Sequence, residues 1–226
     1  MLRKLILTAS LILFGSVASA AQLTVKDGYI KFEGDIVQGD AIRLVQLVKN
    51  TNIKTVHLNS PGGVAIEGFN LGYAARELEL KLVIDDQSTC LSACGFMFLG
   101  GKEQVLEGLV GFHRPFIPAQ YESQFNSNDA FTNGQGIGVG TTFYFHTMGY
   151  TLQLQALITQ ITNPETFLVF KNLDELNKFR FSGVMGFNNL LELPNSWVAE
   201  RIAGKIRLHF LKPTVKVQNV EETKTE

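Results

Sequence analysis

One short segment of the sequence carries residues that could do chemistry. In residues 88–101, STCLSACGFMFLGG, Ser92 lies between two cysteines and precedes a run of small and apolar residues. A serine hydroxyl becomes a good nucleophile when a neutral imidazole accepts its proton and a third group orients that imidazole. Serine is also a favoured capping residue at the beginning of a helix. The segment therefore predicts either a nucleophile or a helix cap at position 92.

The two cysteines of the chain predict a disulfide that pins this segment. Cys90 and Cys94 are close enough in sequence to be bridged if a helix begins between them, and an oxidising compartment would favour the bond. The alternatives are two free buried thiols, or Cys94 itself as the nucleophile. Because no histidine lies near the pair in sequence, the ligand set of a metal site is incomplete, and we expect no metal.

A second turn has the composition of an anion-binding loop. Residues 59–63, NSPGG, stand between a strand pattern and a helix pattern. The glycines allow the backbone to come close to a bound group, and N–H groups at the beginning of a helix suit a developing negative charge. The same Pro-Gly-Gly sequence also serves as an ordinary turn.

The hydrophobic pattern alternates between strands and helices along the chain. Residues 29–34 and 54–59 have the two-residue period of strands. One helix is predicted to follow Asp40 as its N-cap, and a second is predicted over 64–78. Further strands are predicted in KLVID, EQVLE and LVGFH, and a buried helix after Ser92. This alternation indicates an α/β domain with largely parallel strands and helices packed outside.

Two further predictions concern the second helix and the polar region after it. On the 64–78 helix we expect Ile66, Phe69 and Tyr73 to be buried. Residues 118–140 are polar and rich in Asn, Ser and Gly, which predicts a long surface excursion within the domain.

The first twenty residues have the pattern of a secretory signal. Two basic residues and an apolar run precede the small residues Ala18, Ser19 and Ala20, after which we expect cleavage. A retained membrane anchor is the alternative, although the apolar run is shorter than the ~20 residues that span a bilayer. The predicted organisation is a signal over 1–20, a single domain over 21–212 and a flexible charged tail over 213–226. The mature protein is thus expected to be exported, either periplasmic or secreted.

Composition excludes two classes of partner. The 20 Lys and Arg residues are scattered and matched by 21 Asp and Glu residues, so a basic surface for nucleic acid is not expected. No later segment is long and uncharged enough to cross a membrane, so no stable membrane span is expected after signal cleavage.

The order of the motifs resembles the Clp-type serine protease and crotonase superfamily. Over about residues 28–183, a strand, NSPGG, a helix, a strand, the serine segment and a strand ending in GFHRP follow one another. The likeness is closest to Clp-type proteases and to exported relatives with that fold. The resemblance implies a single-domain spiral of repeated ββα units. It also implies a possible homo-oligomer, because members of the superfamily commonly form rings or trimers.

The resemblance assigns roles to individual residues. It implies that Ser92 attacks a peptide carbonyl and that His113, in FHRP, is the general base. It also implies an oxyanion hole made by the backbone N–H of Ala93 with that of Gly62 or Gly63.

The third member of the catalytic triad is predicted less directly by the resemblance. The stretch ETFL matches the position of the family's acid and gives Glu165, with Asp174 in NLDEL as the runner-up. The family has aspartate at this position, so glutamate is a departure that adds a methylene. Lys102 is a second candidate for the base, as in the serine-lysine dyads of signal-peptide peptidases.

Three functions remain open on the sequence. The leading prediction is an exported serine hydrolase that acts on a peptide or protein substrate and uses no cofactor. The alternative is a catalytically inactive binding or assembly module that keeps the fold. An acyl-thioester enzyme of the crotonase branch is disfavoured, because its usual cofactor would be scarce outside the cytoplasm.

Overall fold

The computed structural model describes residues 20–117, 124, 126–161, 163, 165–181, 197–202 and 205–210. The strands are β1 (Gln22–Lys26), β2 (Tyr29–Glu33), β3 (Thr55–Asn59), β4 (Lys81–Ile84), β5 (Thr89–Leu91), β6 (Glu103–Leu106), β7 (Leu109–Phe112), β8 (Thr166–Phe170), β9 (Trp197–Ile202) and β10 (Lys205–Phe210). The helices are α1 (Asp40–Thr51), α2 (Ala65–Glu77), α3 (Ala93–Leu99), α4 (Ser127–Thr147), α5 (Leu152–Gln160) and α6 (Leu173–Asn177).

The described strands form two mixed sheets, with strand orders β1-β2-β3-β4-β6 and β10-β9-β8-β7-β5. The α/β class is therefore confirmed. In the first sheet the strands after the β1–β2 hairpin are parallel, as expected, because helices connect them. In the second sheet the expectation of largely parallel strands is wrong: β5 and β7 are parallel, but β7, β8, β9 and β10 pair antiparallel.

The N-terminus of α1 is capped differently from the prediction. The helix begins at Asp40, but its N-cap is Gly39 in a left-handed conformation with φ 96° and no side-chain cap. The N–H groups of Gly39 and Ala41 donate instead to the carboxylate of Glu67 on α2, at 3.1 and 2.8 Å. A buried carboxylate from a distant segment thus satisfies the free N–H groups, and no local pattern encodes such a contact.

The buried face of α2 also differs from the prediction. Phe69 is buried as expected, but Ile66 and Tyr73 are 62% and 42% exposed. The face turned inward carries Gly68 and Gly72, which are four residues apart. The prediction failed for Ile66 and Tyr73 because it assigned the inner face to large apolar side chains alone, whereas small residues form the part of that face that meets α3.

These two glycines bring α2 and α3 into backbone contact. A Cβ placed on Gly68 would lie 2.8 Å from the Cα of Ala93, and one on Gly72 would lie 3.1 Å from the carbonyl oxygen of Phe96. The distance at Gly68 is too short for a side chain and the one at Gly72 is tight, so glycine at both positions permits this approach. As a result, the Pro-Gly-Gly turn before α2 lies beside the turn that carries Ser92 before α3.

The core lies around α3, which is buried along its whole length, as predicted. Tyr144 on α4 donates its hydroxyl to the carbonyl of Phe96 on α3. Burial raises the pKa of Tyr144 well above its usual value, so the hydroxyl stays protonated and remains a donor. The core therefore fixes α3, and with it the position of Ser92.

The polar region after β7 is only in part as predicted. Residues 118–123 lie outside the described residues. From Ser127 onward the chain forms α4, and its residues up to 140 are largely exposed, so this part lies on the surface as predicted and is helical. Across the described ranges, no helix has the length and apolar character needed to cross a bilayer. The predicted signal, apart from Ala20, and the predicted tail fall outside the described residues.

Candidate active site

Ser92 and His113 come together at the ends of two neighbouring strands. Ser92 directly follows β5 and His113 directly follows β7, and these strands are parallel with Leu91 opposite Gly111. Because parallel strands end at the same edge of a sheet, the next residues of both strands are neighbours. The Ser92 Oγ lies 2.6 Å from the His113 Nε2. This distance is that of a nucleophile and its general base.

The backbone at Ser92 has an uncommon conformation. Its φ of 56° and ψ of −121° fall where residues other than glycine are rare. Holding such a conformation costs about 1–3 kcal/mol, and strain of this kind concentrates at functional sites. The sequence order strand, Ser92, helix makes a sharp turn that resembles the strained turn carrying the nucleophile of α/β-hydrolases.

The hydroxyl of Ser92 is hydrogen-bonded to the imidazole of His113 and does not cap α3. Ser92 occupies the N-cap position of α3, but its side chain makes no capping hydrogen bond. The helix-cap interpretation predicted such a bond, whereas the nucleophile interpretation predicted the contact with His113. The backbone N–H of Ser92 donates to the carbonyl of Gly111 at 2.8 Å, which ties the turn to β7.

The imidazole of His113 is held in an aromatic environment. The residue is 5% exposed, and its ring packs against Phe167 with centroids 4.5 Å apart. Phe116 contacts the same ring edge-on at 5.4 Å and is 44% exposed. Contacts with the two phenylalanines restrict the orientation of the ring, and Phe116 gives the site an apolar border facing solvent.

The backbone N–H groups of the two glycines in the NSPGG turn differ in their hydrogen bonding. The N–H of Gly62 donates to the Oγ of Ser60 at 3.1 Å. Gly63 forms a parallel bridge with Ile36. The hydrogen bonds of this bridge run from the Ile36 N–H to the carbonyl of Gly62 and from the Val64 N–H to the carbonyl of Ile36, so the N–H of Gly63 takes no part in it. Among the described residues, the N–H groups of Gly63 and Ala93 have no hydrogen-bond acceptor. Ser60 was not singled out from the sequence, although its place in the turn was.

Gly62 lies directly against the turn that carries Ser92. Its φ is 99°, and a Cβ at this position would lie 2.5 Å from the carbonyl oxygen of Leu91. The same Cβ would lie 2.6 Å from the Cβ of Ser92 and 3.1 Å from the backbone nitrogen of Ala93. Only glycine fits between these groups.

Cys90 and Cys94 form a disulfide across the Ser92 turn. Both residues are fully buried. The alternative of two free thiols does not hold in this structure, and Cys94 has no thiol with which to act as a nucleophile.

The two acids considered for the triad are both exposed. Glu165 is exposed and follows a turn in which its N–H donates to Asn163. Asp174 is exposed on α6, beyond the far end of β8. No hydrogen bond joins either carboxylate to His113 in the part of the chain that the structure describes. The orienting acid therefore stays a prediction.

Two other residues with possible chemistry are engaged elsewhere. Lys102 follows the far end of α3 from Ser92 and lies 3.6 Å from a carboxylate oxygen of Glu79. His57 on β3 places its Nδ1 2.8 Å from Asp85. Within the described ranges, no three potential ligands are grouped as a metal site.

No protein-family model matches the chain, and no curated protein is significantly similar to its sequence. A function must therefore be argued from the geometry of Ser92 and its neighbours together with the order of the motifs.

Proposed function

We propose that this protein is an exported serine hydrolase that cleaves peptide bonds. The observation that carries the proposal is the 2.6 Å approach of Ser92 Oγ to His113 Nε2 at a strained turn between a strand and a helix. A serine that only capped the helix would need neither the imidazole nor the strained backbone. The peptide as substrate comes from the resemblance to Clp-type proteases.

In the proposed reaction, the Ser92 oxygen attacks the carbonyl carbon of the substrate while His113 Nε2 accepts the hydroxyl proton. The imidazolium then returns that proton to the leaving amine as the C–N bond breaks. Water, deprotonated by the same imidazole, hydrolyses the acyl ester and frees Ser92. We assign Glu165 as the group that orients His113. It is preferred to Asp174 because it lies two residues before Phe167, which packs on the imidazole.

The oxyanion of the tetrahedral intermediate would be bound by the N–H groups of Gly63 and Ala93. Both lack an acceptor among the described residues, whereas the N–H of Gly62 already donates to Ser60. Two converging amide donors stabilise a developing negative charge without reorganisation during the reaction. Gly62 then has a spatial role, since its missing side chain lets the turn lie on Ser92.

The fold and the cellular location belong to the same proposal. The alternation of parallel strands and helices from β2 to β7 supports a Clp/crotonase-like spiral of ββα units. Export is supported by the signal-like N-terminus and by the Cys90–Cys94 disulfide, because disulfides persist in oxidising compartments.

The role of His113 is tested by its reaction with a fluorophosphonate probe. We expect the wild type to form a covalent adduct on Ser92, located by peptide mapping. His113→Gln should slow labelling by about 10²-fold or more, because general-base catalysis contributes ~10²–10⁴-fold. His57→Gln is the matched control and should react at the wild-type rate, since its side chain pairs with Asp85 away from Ser92. Equal labelling of the two variants would contradict the assignment of the base.

A second candidate function, an assembly module without activity, is favoured by the exposed half of α4. Residues 126–140 are almost entirely exposed, including Phe131 and Val139 at 67% and 57%. Phe143, on the next turn, is 67% exposed. Four glycines in this half lower its intrinsic helix stability. Such a segment is stabilised when another surface covers it, and we propose a second copy of this chain.

The assembly is tested by light scattering on the purified protein. We expect an oligomer for the wild type and a smaller species for Phe131→Ser combined with Phe143→Ser, because the exposed rings would no longer be buried between copies. Ile42→Ser on α1 is the control, since Ile42 is 64% exposed on a different helix and should not change the mass. A monomeric wild type would contradict the homo-oligomer. An intact oligomer without probe labelling would favour the inactive module over the hydrolase.

A further inference from the structure

We propose that the Cys90–Cys94 disulfide is a positioning device for catalysis, which holds Ser92 and the oxyanion donor Ala93 in the reactive arrangement. The inference rests on the proposed hydrolase function and deepens it. It concerns what keeps the nucleophile turn in its strained shape, which the triad and the oxyanion donors do not explain.

The disulfide encloses the residues on which the proposed chemistry depends. Cys90 lies in the middle of β5 and Cys94 is the second residue of α3. The bond therefore closes a small ring that contains Ser92 and Ala93. Inside this ring Ser92 has the positive φ that unconstrained chains avoid. A covalent link on both sides of the turn opposes its relaxation toward an ordinary helix cap.

Packing of Gly62 and Gly68 confines this turn from one side, and two backbone hydrogen bonds of Ser92 hold it as well. The N–H of Ser92 donates to Gly111 at 2.8 Å, and the carbonyl of Ser92 accepts from Phe96 at a longer 3.3 Å. The bond to Gly111 would tolerate rotation of the peptide unit between Ser92 and Ala93, which directs the Ala93 N–H, and the longer bond from Phe96 opposes that rotation only weakly. The link to Cys94, the residue after Ala93, restricts that rotation.

The disulfide is also anchored in the strand to which the Pro-Gly-Gly turn is hydrogen-bonded. Cys90 forms a parallel bridge with Ser60, through hydrogen bonds of 2.8 Å from Ser60 N–H to Thr89 and 3.0 Å from Leu91 N–H to Ser60. Ser60 in turn accepts from the N–H of Gly62. The disulfide thus joins the beginning of α3 covalently to β5, and hydrogen bonds join β5 to Ser60 of the Pro-Gly-Gly turn. The distance between the two donor amides depends on this link.

The location of the disulfide argues for positioning and against a redox switch. Both cysteines are fully buried, so a reductant in solvent does not reach the bond in the folded protein. The bond also closes a very short loop, with a sequence separation of 4. Short loops remove little entropy from the unfolded chain, so its contribution to global stability is small compared with that of a long-range disulfide. Its main effect is therefore expected to be local.

The test compares labelling rates of the wild type and of Cys90→Ala combined with Cys94→Ala. We expect the double variant to keep its circular dichroism spectrum and to react with the fluorophosphonate about 10- to 100-fold more slowly, because small misplacements of reacting groups cost rates of this size. The double variant should have a lower maximal inactivation rate, while the probe concentration at half-saturation should stay at the wild-type value. Val48→Ala, a buried truncation on α1, is the stability control and should keep the wild-type rate.

The outcomes separate this inference from the proposed function. A wild type that is not labelled at Ser92 would overturn the hydrolase itself. A labelled wild type with a double variant that reacts at the same rate would leave the hydrolase intact and overturn the positioning role. If the alanine pair does not fold, Cys90→Val combined with Cys94→Ala restores apolar volume and is judged by the same two rates.

Discussion

Replacing Ser92 by alanine is expected to abolish covalent labelling by a fluorophosphonate and to lower peptide hydrolysis by about 10⁶-fold, as when the nucleophile of a serine protease is removed. The hydroxyl is the group that lies 2.6 Å from His113 Nε2. Without it, His113 has no proton to accept and the probe has no oxygen to modify. The measurement is the labelling rate, followed by peptide mapping of the adduct.

Ser88→Ala is the matched control for the nucleophile. Ser88 lies on the loop that leads into β5, four residues before Ser92, and uses its backbone to bond Asp85 and Leu109. We expect this variant to be labelled at the wild-type rate. Ser92→Ala should unfold close to the wild-type temperature, because it removes one side-chain hydrogen bond worth about 1 kcal/mol. Equal labelling of wild type and Ser92→Ala would reject the hydrolase.

Gly62→Ala is expected to reduce labelling by about 10²–10³-fold, the loss seen when one oxyanion donor is removed. A Cβ at this position would lie 2.5 Å from the Leu91 oxygen and 2.6 Å from the Ser92 Cβ, so the two turns must move apart. The separation carries the donor of Gly63 away from that of Ala93. Stability should also fall, because the strained φ of 99° is no longer held by a residue that adopts it freely.

Gly28→Ala separates the clash from the backbone effect. Gly28 has a φ of 89° in the β1–β2 turn, and no described atom lies within 4 Å of a Cβ placed there. In both variants an alanine at positive φ lowers the stability, but only Gly62→Ala disturbs Ser92. We therefore expect Gly28→Ala to be destabilised and labelled normally. Normal labelling of Gly62→Ala as well would show that the turn is not part of the site.

The elements around the site were predicted to different extents. The strands β2, β3, β4, β6 and β7 and the buried helix α3 follow from hydrophobic period and length, which are local properties. The buried face of α2 was predicted wrongly, since Gly68 and Gly72 face α3 while Ile66 and Tyr73 point outward. The spacing of four residues between Gly68 and Gly72 was a usable signal, but a pattern based on large apolar residues does not detect it.

The direction of the strands in the second sheet could not be predicted from the pattern. Strands β8, β9 and β10 pair antiparallel, although the alternation along the first part of the chain indicated a parallel sheet. Strand direction depends on where connecting segments return, and this is a property of the whole chain. The prediction of the α1 cap failed for the same reason, because the capping residue Glu67 lies in another helix.

The sequence alone determined the chemical groups: one serine between small residues, a histidine after a strand, two glycines before a helix and two cysteines around the serine. Only the tertiary structure decided that the serine and histidine meet, because this requires β5 and β7 to be adjacent and parallel. It also decided that Gly62 donates to Ser60 while the N–H of Gly63 stays free of described acceptors. The physical reason is that residue type and local period fix what a segment is able to form, whereas distances between segments are set by packing, here by backbone contact between α2 and α3.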